Sequence, residues 1–503
     1  MKTLFSTINL LVEKRYFFIA IIFVCFLNII PRLNNFHDWG GDFSCYIMQA
    51  QAIVQNSMQD FINKNTITIN DTIGYLSSYG IVEELGPIAY PWGFPLLLAP
   101  IFAIFGFNLV AFKAIGAIFL ILILFILKKI FEKRLDNTSL LLLLSIFAFN
   151  PRYYEFAGQI LSDIPFLFFS LYALYGINKI FIEDKNSSLL QIFILSFFIF
   201  YSFVIRVNGI AILATLVFMQ ILTFKFYNYF HLNIDQTKIY FLFYIFFIIF
   251  VIIWNLYFPS VLGGYSKVLT NITIKSILGN IVYYAFVIRE FIPIKTEGIR
   301  SFFFAISIPL FIIGILNHWK RDFLYIIFSF FTLAIFIIFT ARQGYRYIFV
   351  VIPFYFYFSI LGFNCICLKF NFNLKQYMNV IIIFLFVLSL LSAYRINFIE
   401  KISIDNTPYT NSANEIWKYI KNNINIEDYI ISEKPRVVRM LTQRNGFSRY
   451  SADKIFGTKA KYLLFNKLRN LPISEDEVLE LVRNEKLESI FDNQEFSLFI
   501  INP

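Results

Sequence analysis

Long apolar runs recur along the chain from Tyr16 to about Ile396, and they constrain the fold more than any other feature. Each run has roughly 17 to 22 residues, which is enough for a helix to cross about 30 Å of hydrocarbon. Only 15% of the residues are charged, compared with about 25% in an ordinary soluble domain. The sequence therefore predicts an α-helical polytopic membrane protein and excludes a water-soluble enzyme with a single membrane anchor.

The chain is basic, with a net charge of +11, as is common when cytoplasmic loops carry lysine and arginine. No run of lysine or arginine is interleaved with aromatic residues, so no nucleic-acid partner is predicted. The four cysteines, Cys25, Cys45, Cys365 and Cys367, cannot form a disulfide framework, because three of them fall in or beside apolar runs. No cluster of residues has the spacing of metal ligands.

Eleven segments are predicted to span the membrane: 16–30, 109–130, 138–152, 160–181, 189–205, 207–224, 239–258, 302–316, 323–340, 348–368 and 378–396. Glu13, Lys14 and Arg15 precede the first segment, which indicates a retained signal anchor with its N-terminus inside. Lys64 is the only lysine or arginine between Asn34 and Tyr90, so this long loop is predicted to be external. The alternation of spans then leaves the C-terminus outside.

The segment Tyr90 to Gly106 is apolar but is predicted not to cross. Its apolar run from Phe94 to Gly106 is too short for a span, and Pro95 and Pro100 interrupt it. If it crossed, the basic cluster from Lys128 to Arg134 would be external, against the usual orientation. We therefore expect a helix in the outer membrane interface.

After Ile396 the composition changes to a mixed, charged tail, which predicts a separate soluble domain. Helical periodicity covers Asn414–Lys421 and Glu475–Leu487, whereas Asp428–Ser432, Lys461–Phe465 and Phe496–Ile501 have the pattern of short buried strands. The predicted organisation is thus a transmembrane module over 1–396, with an external loop at 34–107, followed by a small external α/β domain over 397–503.

Two aspartates stand out among the candidate functional residues. Asp42 follows two glycines just after the first span, in a motif with His37, Asp38 and Tyr46, where the glycines allow a sharp turn and close approach of a ligand. The alternative is that Asp38 and Asp42 are solvated loop acids, with Asp42 capping the next helix. Asp163 opens the fourth span, either in an outward-facing cleft or, with Ser162 and Pro165, as part of a helix cap.

Arginines and tyrosines mark two further sites at predicted outer membrane edges. Arg342, Tyr345, Arg346 and Tyr347 combine two guanidinium groups with two phenols, and arginine binds phosphate oxygens bidentately. Arg206 interrupts two apolar runs and has no acidic neighbour in sequence. The alternative for both sites is an interfacial belt that contacts lipid headgroups.

These motifs, in this order, resemble the GT-C superfamily of membrane glycosyltransferases, in the branch that includes protein mannosyltransferases (glycosyltransferase family 39) and aminoarabinose transferases. The resemblance rests on Gly41-Asp42-Phe43, Tyr90-Pro-Trp-Gly-Phe-Pro-Leu-Leu-Leu98, Ser162-Asp163-Ile-Pro-Phe166, Arg206-Val-Asn-Gly209, Tyr345-Arg-Tyr-Ile-Phe-Val-Val-Ile-Pro353 and Ile431-Ser-Glu-Lys-Pro-Arg436. Phe43 departs from the Asp-Glu pair that is commoner in the family.

The resemblance implies transfer of a sugar from a polyprenyl-phosphate donor to a lipid, polysaccharide or protein acceptor at the outer face of the cytoplasmic membrane. It makes Asp42 the general base of an inverting displacement and Asp163 the second acidic residue of the catalytic site. Arg346, Tyr345, Arg342 and Arg206 would then bind the leaving phosphate. His37, Asp38 and Tyr46 would position donor or acceptor.

Three alternatives remain open at this stage. A divalent metal ion between Asp42 and Asp163 would assist departure of the phosphate. A secondary transporter would carry charges at the bilayer midplane and an internal repeat, which the sequence lacks. An O-antigen polymerase or ligase would share the topology and the lipid-linked donor, but it fits the long first loop and external tail less well.

Overall fold

A computed structural model describes residues 16–72, 75–76, 82–83, 87–183, 187–225, 237–260, 272–339, 342, 344–370, 374–399 and 403–502. Glu13, Lys14 and Arg15, expected to orient the first span, lie outside these residues. The chain forms two compact units. The helical unit comprises Met1–Leu33, Lys113–Phe258 and Tyr265–Ile402, and the mixed unit comprises Asn34–Phe112, Pro259–Gly264 and Ser403–Pro503.

Every predicted span overlaps a helix. The helices are Phe17–Ile29, Leu109–Phe131, Asn137–Ala148, Pro151–Ala157, Asp163–Ile177, Leu189–Ile205, Ile210–Lys225, Thr237–Tyr257, Ile274–Val287, Glu297–His318, Phe323–Ile338, Ile352–Lys369 and Leu374–Tyr394. Among the described residues, five stretches are long and apolar enough to cross a membrane: Leu109–Phe131, Asp163–Glu183, Glu297–His318, Ile352–Lys369 and Tyr377–Ile399. A mainly helical membrane protein is thereby confirmed, whereas the count of eleven crossings remains a prediction.

Two features of the helical unit differ from the sequence prediction. The predicted span 138–152 is two helices, because Pro151 begins a new helix whose first turn Asn150 caps by accepting from the Arg152 N–H, at 3.1 Å. The helix Ile274–Val287 was not predicted. Lys275, Ser276 and Asn280 interrupt its apolar residues, which hides it from a search for continuous hydrophobicity.

Close helix packing fixes the Ile352–Lys369 helix within the helical unit. Gly362 faces the carbonyl of Leu310 and Gly314 faces that of Phe358, so a Cβ at either glycine would overlap the neighbouring backbone. Small residues at such a crossing let two helix backbones approach each other directly. This helix follows the segment that carries Tyr345 and Arg346.

The mixed unit joins the first loop to the C-terminal tail. Its N-terminal part contains the helices Gly41–Val54, Met58–Asn70 and Gly93–Phe105 and the antiparallel strand pair Tyr75–Leu76 and Val82–Glu83. The helix Gly93–Phe105 lies in the segment expected to form an interfacial helix, and it packs against Gly41–Val54. Its place in the membrane interface, and the division into a transmembrane module and an external domain, remain predictions.

The tail forms the small α/β fold that its patterns predict. Five strands lie in the order Asn445–Phe447, Tyr429–Ile431, Ala460–Asn466, Phe496–Ile501 and Leu487–Asp492, of which the first three are parallel. The helices are Asn411–Asn423, Pro435–Thr442 and Glu475–Arg483. The helix predicted to reach Leu487 ends earlier, because Glu485 adopts a left-handed backbone (φ 57°) and Leu487 is the buried first residue of a strand.

Candidate functional site

Asp42 lies in the first turn of the helix Gly41–Val54. Gly40 occupies the cap position, so the alternative that Asp42 caps this helix is wrong. The phenol of Tyr90 donates a hydrogen bond of 2.6 Å to Asp42 Oδ1. The carboxylate is half-buried and lies in the first turn of a helix, where a negative charge is favoured. The Asp42 carboxylate is therefore fixed by a hydrogen bond and is not a fully solvated loop acid.

Tyr90 is the partner of Asp42 that sequence reasoning missed. Burial, and secondarily the charge of Asp42, raise the pKa of Tyr90 above its usual value, so the phenol remains a donor. Gln49 bonds both backbone groups of Tyr90, donating to its carbonyl at 2.8 Å and accepting from its N–H at 3.1 Å. Tyr46, one turn after Asp42, packs on the ring of Tyr90 with centroids 4.7 Å apart. Only its place in a family-like motif marked Tyr90 in the sequence.

His37 and Asp38 shape the turn before this helix. The imidazole of His37 is buried and stacks on Phe43, with ring centroids 3.9 Å apart. Its Nδ1 lies 2.8 Å from Asp38 Oδ1, which also accepts from the Gly40 N–H at 3.0 Å. Asp38 itself is exposed, so its carboxylate contacts both solvent and the turn.

Asp163 is the centre of an ion-pair cluster in the helical unit. Its side chain is completely buried, and it accepts hydrogen bonds from Arg206 and, at 3.2 and 3.0 Å, from Arg346. Ser162 occupies the cap position of the helix Asp163–Ile177 and Pro165 lies in its first turn, as the cap interpretation predicts, but the Ser162 side chain makes no capping hydrogen bond. Arg206 does have an acidic partner, but it lies 43 residues away in sequence.

Backbone breaks bring the two arginines to Asp163. Arg206 ends the helix Leu189–Ile205 in an extended conformation, and Arg346 lies in a short 3₁₀ segment, Gly344–Val350. The guanidinium of Arg206 also lies 5.2 Å from the ring centroid of Tyr347. Two of the arginines expected to bind phosphate therefore converge on a single carboxylate.

Tyr345 and Arg342 border a groove of about 1370 Å³ in the same unit. The groove is lined by Thr273, Ile274, Lys275, Ser276, Leu278, Gly279, Val282, Tyr283, Phe286, Val287, Arg289, Glu290, Arg342, Gly344 and Tyr345. Arg342 is exposed, donates to Asn280 Oδ1 at 3.0 Å and lies 5.1 Å from the ring centroid of Tyr283. The groove thus combines cationic and phenolic groups with an apolar wall.

Arg152 holds Tyr345 at the edge of this groove. Its guanidinium lies 4.5 Å from the centre of the Tyr345 ring and donates to the phenol oxygen at 3.3 Å. Glu290 accepts from Arg152 at 3.1 Å and from Arg300 at 3.0 Å. Arg152 and Glu290 therefore fix the orientation of Tyr345, one of the residues predicted to bind phosphate.

In the part of the chain that the structure describes, no three His, Cys, Asp or Glu side chains come together as a metal site. Both oxygens of Asp163 accept hydrogen bonds from guanidinium groups. A carboxylate engaged in this way is a poor ligand for a divalent cation, which requires its lone pairs.

No protein-family model and no curated protein matches the chain. Solved structures do match. ArnT from Cupriavidus metallidurans bound to undecaprenyl phosphate is 10% identical, with a TM-score of 0.57 over 96% of this chain and 97% of that one. The Archaeoglobus fulgidus oligosaccharyltransferase in complex with Zn and sulfate is 12% identical, with a TM-score of 0.57 over 89% and 68%.

A second structure of that oligosaccharyltransferase, AglB in complex with an inhibitory peptide and a dolichol-phosphate, is 11% identical, with a TM-score of 0.52 over 90% and 70% of the two chains. ArnT and AglB are both GT-C glycosyltransferases. The GT-C fold that the sequence motifs predict is therefore confirmed over nearly the whole chain.

Proposed function

We propose that this protein is a membrane glycosyltransferase that transfers a sugar from a polyprenyl-phosphate donor to an acceptor on the outer face of the cytoplasmic membrane. The observation that carries the proposal is the groove beside the helix Ile274–Val287, where Arg342, Lys275 and Tyr345 lie next to apolar side chains. A long-chain lipid phosphate has this same combination of an anionic head and an apolar tail. The fold shared with ArnT, whose structure contains undecaprenyl phosphate, supports the same donor class.

In this proposal the arginines act on the leaving phosphate. As the bond from the anomeric carbon to the phosphate oxygen breaks, the phosphate gains negative charge, which positioned guanidinium groups stabilise. Arg342 and Tyr345 bind it from the groove, and Arg346 and Arg206 contribute from positions that Asp163 holds. Asp163 thus orients arginines and does not itself exchange a proton.

Asp42 is the proposed general base. The acceptor hydroxyl or amine attacks the anomeric carbon from the face opposite the phosphate, and its proton passes to the Asp42 carboxylate. A single displacement of this kind inverts the anomeric configuration. Tyr90 holds one carboxylate oxygen, and His37, Asp38 and Tyr46 fix the turn and helix that present it. No step uses a metal ion.

Substitution of Asp42 tests the assignment directly. We expect Asp42→Asn to fold normally and to lose transfer by roughly 10²- to 10⁴-fold, the usual contribution of a positioned general base. The assay follows sugar transfer by the purified protein in liposomes that contain undecaprenyl phosphates carrying single hexoses or pentoses, with an envelope extract as acceptor.

Asp60→Asn is a matched control, because Asp60 also lies in the first turn of a helix of the mixed unit but is exposed and paired with Lys64. It should leave the rate within about twofold, as surface substitutions usually do. Transfer by Asp42→Asn at the rate of the unchanged protein would refute the role of Asp42 as base. Lipid-linked sugar carried across the bilayer without any transfer product would instead identify a transporter.

A further inference from the structure

Three carbonyls in the short segment 87–90 are each bound by a side chain from a different helix. The carbonyl of Pro87 accepts from Arg436 Nη2 at 2.5 Å, and that of Ile88 accepts from the Asn65 side-chain amide. The Tyr90 carbonyl accepts from Gln49, as described above. Side chains that bind several carbonyls of one short segment fix the path of its backbone.

Arg436 is an unusual residue to find in such a network. Only 2% of it is exposed, and no carboxylate pairs with it among the residues that the structure describes. Besides Pro87, it donates to the Asn65 side-chain oxygen at 3.3 Å, which also accepts from Arg439 at 3.1 Å. A buried guanidinium that bonds only neutral acceptors is costly, so a role that needs its fork geometry is expected.

The segment that Arg436 holds ends at Tyr90, whose phenol donates to Asp42. This hydrogen bond depends on where the Tyr90 backbone lies, because the ring is buried and packed on Tyr46. A displacement of about 1 Å in a catalytic arrangement is enough to reduce a rate substantially. The chain of contacts therefore runs from Arg436 through the carbonyls to Tyr90 and Asp42.

We propose that Arg436, on the tail helix Pro435–Thr442, is a positioning residue that keeps Tyr90 hydrogen-bonded to Asp42. The inference rests on the proposed function, since it assumes that Asp42 is the general base. The C-terminal part of the chain would then help to position the general base, which is a role distinct from binding or covering a substrate.

Hydrogen–deuterium exchange of the full-length protein in detergent tests the structural half of this proposal. Arg436→Met should raise exchange in peptides that cover 87–92, and Arg436→Lys should raise it less. Arg444→Met is the matched control, because Arg444 also bonds carbonyls of the mixed unit, those of Thr442, Ile424 and Lys421, but not this segment. Unchanged protection of 87–92 in Arg436→Met would overturn the inference, whether or not the protein is a glycosyltransferase.

A double-mutant cycle in the liposome transfer assay tests the functional half. Tyr90→Phe and Arg436→Met should each lower kcat by about tenfold, as expected for one hydrogen bond to a charged group, with little change in the donor KM. If Arg436 acts through Tyr90, the double variant should be about as active as Arg436→Met alone. Multiplied effects, about a hundredfold in total, would show independent roles and overturn the proposal.

The outcomes also separate this inference from the proposed function. An unaffected Asp42→Asn rate refutes the base, and the exchange experiment then still decides whether Arg436 holds the segment. A strongly reduced Asp42→Asn rate, together with a normal kcat for Arg436→Met, leaves the base intact and refutes the positioning role.

Discussion

Two buried aspartates of the helical unit, Asp163 and Asp322, have nearly the same immediate surroundings. The side chains of both are fully buried, and both accept hydrogen bonds from two arginines. Asp163 begins the helix Asp163–Ile177, and Asp322 precedes the helix Phe323–Ile338. Their local ion-pair chemistry alone does not distinguish a functional site from a structural one.

The Asp163 and Asp322 clusters differ in the groups that surround their arginines. Asp322 also accepts from the Tyr357 phenol at 2.8 Å, and its partner Arg134 donates to Asn178 at 2.7 Å and lies 5.3 Å from the centre of the Tyr325 ring. Asp322, Arg134 and Asn178 lie at or just beyond the ends of three helices, and Tyr357 lies in the second turn of a fourth, so the cluster ties these helices together. Asn178 follows Asp163 by fifteen positions along one helix, which separates them by about 22 Å.

The Asp163 cluster instead connects to the groove. Its partner Arg346 follows Tyr345 directly on the segment Gly344–Val350, and Tyr345 lines the groove together with Arg342. We infer that the same ion-pair chemistry locks helix ends at Asp322 and orients substrate-binding groups at Asp163.

The largest difference is expected between Asp163→Asn and Asp322→Asn. Each leaves two arginines without their carboxylate, and removing one partner of a buried ion pair costs about 3–5 kcal/mol of unfolding free energy. Melting temperature and yield should fall for both variants. Turnover per folded molecule should fall at least about a hundredfold for Asp163→Asn only, because the proposed function assigns the leaving phosphate to the arginines at Asp163 and not to those at Asp322. Equal turnover losses in the two variants would remove the distinction.

A smaller difference is expected between arginines of the two clusters. Arg346→Ala should raise the donor KM by about 10- to 100-fold, the worth of a charge-assisted hydrogen bond. Arg346→Lys should raise it less, because lysine keeps the charge but loses the fork. Arg321→Ala, at Asp322, should leave the donor KM unchanged. If both Arg346 variants match the unchanged protein at equal expression, Arg346 has only the structural role of pairing with Asp163.

The smallest effect is expected from the phenols. Tyr357→Phe removes one hydrogen bond to Asp322 and should lower the unfolding free energy by about 1 kcal/mol, with donor KM unaffected. Tyr345→Phe should change stability little and raise the donor KM by a few-fold. Denaturant unfolding in detergent and steady-state kinetics measure the two effects. A larger kinetic effect at Tyr357 than at Tyr345 would reverse the assignment of the clusters.

Local patterns predicted the helices well, because burial in lipid or protein selects long apolar runs irrespective of what they contact. The same reasoning identified three of the five tail strands, and the order of short motifs indicated the GT-C fold. It failed at Ile274–Val287, where polar residues that line the groove interrupt the apolar run. The missed helix is thus a consequence of the site that it borders.

The sequence by itself determined where most of the helices and strands lie, and it singled out Asp42, Asp163 and the arginines as candidates for the chemistry. Only the tertiary structure decided their partners. Asp163 meets Arg346 across 183 positions, and Asp42 meets Tyr90 across 48. Hydropathy and periodicity are local properties of the chain, whereas an ion pair or a hydrogen bond depends on which helices become neighbours. That choice is made by packing of whole elements, such as the glycine crossing of Gly314 and Gly362, and no spacing within a motif encodes it.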